Sequence, residues 1–94
     1  MIEYLYDAIR ASSGEDITIS AKAINEDGSC ITSGCHLHLY DDESLIALID
    51  GEIVDEIWEF TIPAEQTKGM KGRFWYAICG GEGTLNFRQP IYLV

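Results

Sequence analysis

The sequence alternates apolar and polar residues over much of its length, with a period of two. The clearest case is Ile17–Ala23, ITISAKA, in which every second side chain is apolar. Because successive side chains of a β-strand point to opposite faces, this pattern predicts a strand with one buried face and one wet face. A helical turn finds room only at residues 64–72, where two glycines keep it short.

Turn residues close these alternating segments at short intervals. Further strands are predicted at residues 2–10, 35–40, 45–49, 56–62, 73–79 and 84–94. Pro63 ends one of them, because proline cannot donate a hydrogen bond to a central ladder. No segment resembles a βαβ crossover. The pattern therefore predicts an all-β fold, a β-sandwich or small Greek-key barrel of about eight short antiparallel strands, with residues 1–94 as a single domain.

Charge and composition limit the classes of partner. The 94 residues include 16 acids and 6 bases, a formal net charge of −10. Such a field repels phosphate backbones, so nucleic acid is not a predicted partner. The chain has no apolar run long enough to span a membrane, and its first residues lack the basic region of a signal peptide. No membrane partner is predicted, and synthesis in the cytoplasm is expected.

The three cysteines are an odd number, so they do not make a complete disulfide framework. Without a signal peptide, reduced thiols are the simplest interpretation. A Cys30–Cys35 bridge across the turn at Ser33 and Gly34 stays open as an alternative.

The stretch SGCHLHLYDDE, residues 33–43, raises the question of a metal site. On a strand, His36 and His38 share one face and Cys35 lies on the other. A catalytic zinc site needs three protein ligands, and the chain has no third histidine. A solvated strand face is the preferred interpretation, with no metal and no cofactor. Calcium-loop, phosphate-loop and nucleophile–base patterns are also missing, so the protein is not expected to be an enzyme.

Two predicted strands are apolar on both faces, although a sandwich needs only one apolar face per strand. They are residues 45–49, LIALI, and residues 73–79, RFWYAIC. Other parts of the chain cover the second faces in one interpretation. In the other, the second faces bind a partner, because exposed aromatic patches on a small domain mark interfaces. The predicted partner-interface residues are Trp75, Tyr92, Tyr4 and Tyr6.

Three stretches resemble small immunoglobulin-like β-sandwich modules of bacteriophage virions, such as the N-terminal domains of phage baseplate upper proteins. SGEDITISAKAINEDGS, residues 13–29, is similar in its turn, alternating strand and Asp-Gly loop. WEFTIPAEQTKGMKGRFWYAI, residues 58–78, is similar in its strand, threonine-glycine turn and aromatic strand. RQPIYLV, residues 88–94, resembles the final strand of such modules.

The resemblance implies an immunoglobulin-like sandwich and a structural role in a virion. The expected function is a small non-enzymatic module that docks on the particle, as a capsid decoration or cement protein or as a tail or baseplate adaptor. Its expected partners are other virion proteins or further copies of itself, and its expected location is the virion. The alternative is a small bacterial β-domain that binds a metal or ligand through His36 and His38.

Overall fold

The computed structural model describes residues 2–4, 9–42, 44–80 and 88–94. Its strands are β1 (Ile2–Tyr4), β2 (Ile9–Ala11), β3 (Ile17–Ala23), β4 (Cys35–Asp41), β5 (Ser44–Asp50), β6 (Glu52–Val54), β7 (Ile57–Ile62), β8 (Gly72–Gly80) and β9 (Gln89–Leu93), and a short helix, α1, covers Ala64–Thr67. A four-stranded sheet has the order β1-β3-β7-β6, and a five-stranded sheet has the order β2-β9-β8-β4-β5. The predicted all-β sandwich is confirmed.

The core lies between the two sheets and follows the predicted alternation. Ile17, Ile19, Ala21 and Ala23 on β3 are all at most 6% exposed, while the side chains between them are not buried. The other fully or nearly buried core side chains are Cys35, Leu37, Leu39, Trp58, Phe60, Ile62, Phe74, Tyr76, Ile78, Ile91 and Leu93. Each sheet therefore gives one apolar face to a shared core, as two-layer packing requires.

The N-terminal segment differs from its prediction as one strand over residues 2–10. β1 pairs antiparallel with β3 in the four-stranded sheet, whereas β2 pairs parallel with β9 in the five-stranded sheet. The segment thus contributes to both sheets, and the β2–β9 pair is an exception to the predicted antiparallel pairing. β1 and β2 are three residues long, and short strands are one way in which proteins blunt sheet edges.

Gly51 carries the chain from one sheet to the other. It follows β5 of the five-stranded sheet and precedes β6 of the four-stranded sheet, so the chain crosses between the sheets at this position. A Cβ added to Gly51 would lie 2.5 Å from Phe60 Cε1 and 2.7 Å from Trp58 Cε3. Both rings are buried, so neither has room to move away.

Gly51→Ala is therefore expected to lower the free energy of unfolding by about 1–3 kcal/mol, the usual cost of overpacking a core. Urea denaturation monitored by tryptophan fluorescence measures this loss. Equal midpoints for the variant and the parent would show that the aromatic pair accepts a methyl group at the crossover.

Candidate docking surface

The outer face of the five-stranded sheet carries the side chains that sequence analysis selected. On β4, Cys35, Leu37 and Leu39 are buried, so His36 and His38 point away from the core as predicted. Trp75 on β8 is half-buried, and Tyr92 on β9 is 42% exposed between two buried neighbours. Trp75 and Tyr92 therefore both lie on this outer face.

Strand register places Arg10 and Arg73 on the same face, and a contact with the Tyr40 ring brings Arg88 to it. Arg10 on β2 pairs with Tyr92, and Tyr92 pairs in turn with Arg73 on β8. Two residues further along β8, Trp75 pairs with Tyr40 on β4. The arginine face is defined here as Arg10, Arg73, Arg88, Tyr40, Trp75 and Tyr92. Its three arginines are half of the six basic residues of a chain that carries 16 acids.

Two of the guanidinium groups stack on aromatic rings of this face. The Cζ atom of Arg73 lies 5.0 Å from the centroid of the Trp75 ring, and the Cζ atom of Arg88 lies 3.9 Å from the centroid of the Tyr40 ring. Arg88 also donates a hydrogen bond of 2.8 Å from Nη1 to the backbone oxygen of Asp42. Such cation–π contacts are worth about 0.5–1 kcal/mol at exposed sites. They hold the charged groups in fixed positions before any partner arrives.

Among the described residues, no acid forms an ion pair with an arginine. Among the residues that the structure describes, the only ion pair is His36 with Asp50, whose Nδ1 and Oδ1 atoms are 3.3 Å apart. All three arginines are exposed. An open trough of about 830 Å³ is lined by Asp41, Asp42, Ser44, Arg73, Trp75 and Arg88. Guanidinium forks in such a trough suit carboxylate groups of a partner, because they bind them in bidentate geometry.

The outer face of the four-stranded sheet has the opposite character. Glu52 on β6 pairs with Glu59 on β7, and together with Asp50 and Thr61 they line a small groove of about 150 Å³. Glu52 and Glu59 therefore place acidic side chains on the four-stranded sheet, whose described strands carry no arginine. Asp50 belongs to β5 at the adjoining edge of the five-stranded sheet. The arginine face concentrates half of the basic residues of the chain, and Asp41 and Asp42 line the same trough as Arg73 and Arg88.

The two histidines lie beside each other on the outer face and have local partners. His38 Nδ1 is 3.1 Å from the hydroxyl oxygen of Tyr40, and His36 Nδ1 is the atom that pairs with Asp50. Burial, and to a smaller extent the neighbouring His36, lowers the pKa of His38 below its ordinary value. Within the described ranges, no group of three or more histidine, cysteine or acidic residues is placed to hold a metal ion.

The three cysteines are free thiols. Cys35 lies in the core, and its burial, with a smaller effect of Cys79, raises the pKa of its thiol. Cys79 and Ala77 face outward on β8 but are only 7% and 1% exposed. The second apolar face of residues 73–79 is therefore covered at the Ala77 end and partly open at Trp75.

The predicted tyrosines of the N-terminal segment are only partly described. Tyr4 lies on β1, at the edge of the four-stranded sheet, where its backbone pairs with Ala21. Tyr6 lies outside the described residues. Tyr4 lies on the four-stranded sheet, so the structure does not join it to Trp75 and Tyr92 on the five-stranded sheet.

Sequence reasoning selected Trp75 and Tyr92 of the arginine face but not Tyr40 or the three arginines. One signal was present: Arg73 and Trp75 are two residues apart in a predicted strand and so share a face. Arg10 and Arg88 come close to the other residues of this face only because distant parts of the chain lie side by side in the sheet.

Comparison with known proteins defines the fold. No family model matches the chain, and no curated protein matches it. A similar solved structure is the crystal structure of the S-layer protein SbsC domains 4 and 5, with 13% sequence identity and a TM-score of 0.63. The match covers 100% of this chain and 51% of that one, so the chain spans about half of its length. The fold is immunoglobulin-like. In the described part of the chain, no helix has the length and apolar character needed to cross a membrane.

Proposed function

We propose that this protein is a phage virion structural protein, a small non-enzymatic module that docks on the particle through its arginine face. Its role would be that of a capsid decoration or cement protein, or of a tail or baseplate adaptor. The observation that carries the proposal is the convergence of three exposed arginines with Trp75 and Tyr92 on one outer sheet face.

The residue types of this face are those that dominate binding energy at protein interfaces. Tryptophan, tyrosine and arginine are enriched among hot-spot residues, because they combine a large contact area with directed polar groups. Tyr92 is 42% exposed although the strand already gives Ile91 and Leu93 to the core. Its aromatic surface is not needed for folding and is available to a partner.

The distribution of charge favours the arginine face as the side on which a partner approaches the protein. The net charge of −10 repels other copies of the chain at long range, which keeps free subunits apart. The arginine face presents the opposite charge locally, so a partner that offers carboxylates is attracted to this side. Because such attraction is screened over about 8 Å at physiological ionic strength, added salt should slow the encounter.

The virion assignment rests on the resemblance of residues 13–29, 58–78 and 88–94 to immunoglobulin-like virion modules. That resemblance carries no catalytic residues, and docking does not require any. The protein would be made in the host cytoplasm and would reach its final location by binding other virion proteins.

The assignment is tested by the location of the protein. Antibodies raised against the purified chain should label phage particles from the strain that encodes it, after purification on a density gradient. Deleting the gene should remove the label, and adding back the purified protein should restore it. If the protein stays in the soluble fraction while unlabelled particles form normally in the deletion strain, the virion assignment is wrong.

A further inference from the structure

β5 is an exposed sheet edge. It is the last strand in the order β2-β9-β8-β4-β5 and pairs only with β4 among the described residues. Within the described ranges, one side of its backbone therefore has no strand partner. Three of its apolar side chains are also exposed: Leu45 at 49%, Ile46 at 37% and Leu48 at 61%.

The other sheet edges of the sandwich are better protected. β1, β2 and β6 are three residues long, whereas β5 has seven residues. Proteins commonly protect an edge with a short strand, a charged side chain or a proline. Residues 44–49, SLIALI, have neither a charge nor a proline. A long apolar edge of this kind accepts an added strand readily.

We infer that β5 binds an extended apolar segment of another protein, flanked by lysine or arginine, which adds a strand to the five-stranded sheet. The backbone of β5 would supply the hydrogen bonds, and Leu45 and Leu48 would pack against alternate side chains of the added strand.

Charge selects this partner over a second copy of the chain. Asp41 and Asp42 precede β5, and Asp50 and Glu52 follow its apolar residues. If two copies paired through β5 in antiparallel orientation, Asp50 of each copy would lie near the aspartates that precede β5 in the other. Repulsion between like charges at both ends opposes that pairing. A strand from another protein that carries basic residues at its ends would instead be attracted to these acids.

This inference is independent of the proposed function, because it rests on the backbone edge of β5 and on Leu48, which are not part of the arginine face. Loss of docking through Arg73 or Trp75 would leave it unchanged. Failure of strand addition would likewise leave the arginine face untested.

The test uses the intact protein, one peptide probe and two control peptides that differ from the probe at two and at four positions. The peptide KKVTVIVKK, blocked at both ends, is titrated into the protein, and backbone amide exchange is followed by NMR. Protection is expected at amides of Ser44–Asp50. KKVPVPVKK keeps the charge but cannot form a strand, and DDVTVIVDD keeps the strand but reverses the charge. Neither is expected to protect β5.

Two protein variants complete the design. Leu48→Lys places a charge in the middle of the edge strand, which is one way in which proteins block strand addition, and should weaken binding of KKVTVIVKK about tenfold or more. Val54→Lys makes the same charge change at a residue that is 53% exposed on the other sheet, and it should bind as the parent does.

Three results would overturn the inference. One is protection that lies elsewhere in the sheet, or equal binding of all three peptides. Another is an equal loss of binding in Leu48→Lys and Val54→Lys. The third is a dimer of the free protein in sedimentation that disappears in Leu48→Lys, because it would identify a second copy as the occupant of β5.

Discussion

Trp58→Ala is expected to lower the free energy of unfolding by about 3–5 kcal/mol. The Trp58 side chain is 5% exposed and stacks on Phe60, with ring centroids 6.1 Å apart and planes inclined by 18°. Its Nε1–H donates a hydrogen bond of 2.8 Å to the backbone oxygen of Ile31. The substitution leaves a large cavity in the core and removes the donor of that hydrogen bond. Since domains are stable by only about 5–15 kcal/mol, much of the total stability depends on this side chain.

Two further variants separate the contributions to this loss in urea denaturation. Trp58→Phe keeps a ring in the core but removes the donor, so it should cost less than the alanine variant. Tyr92→Ala removes an aromatic side chain from the exposed outer face and is expected to change stability by no more than about 0.5 kcal/mol. A Trp58→Ala protein that is nearly as stable as the parent would show that β7 does not pack as the structure has it.

The faces of the long strands were predictable because strand geometry alone fixes them. In residues 35–40 the alternation placed Leu37 and Leu39 in the core and both histidines outside, and the structure confirms this arrangement. A period of two translates directly into two faces, whatever the strand pairs with. The same reasoning selected Trp75 and Tyr92 as outward side chains.

The hairpin between β6 and β7 could not be predicted from the local sequence, because its turn lacks the residues that usually mark one. Asp55 and Glu56 form its turn with φ angles of 50° and 69°. Residues other than glycine, asparagine and aspartate rarely adopt such angles, and two-residue hairpin turns usually have a sequence such as Asn-Gly. Without that signal, the short strand Glu52–Val54 was not predicted.

Long-range pairing explains the remaining differences. Nothing within residues 2–10 shows that β1 pairs with β3 while β2 pairs with β9, because both halves are equally compatible with an extended strand. The arginine face has the same origin. Arg10 and Arg73 are 63 positions apart in the chain, and only the joint pairing of β2 and β8 with β9 places both beside Tyr92.

Trp75→Ser is expected to abolish docking while the domain stays folded. Trp75 is half-buried on the outer face, and its ring supports the guanidinium group of Arg73. The substitution removes an aromatic anchor and frees the arginine, and loss of a hot-spot tryptophan costs about 2–4 kcal/mol of binding energy, roughly 30- to 1000-fold in affinity. Binding to particles from the gene-deletion strain measures the loss, and Val54→Ser serves as an exposed control on the other sheet.

Arg73→Glu tests the same face without removing any ring. If carboxylates of the partner bind the arginine face, reversing this charge should weaken docking strongly and reduce its dependence on salt. Lys68→Glu makes an equal change of charge at an exposed residue beside α1 and should dock as the parent does. A Trp75→Ser protein that unfolds would place that ring among the residues that hold the domain together. If Arg73→Glu docked as the parent does, with the same dependence on salt, the proposal that carboxylates of a partner bind Arg73 would be wrong.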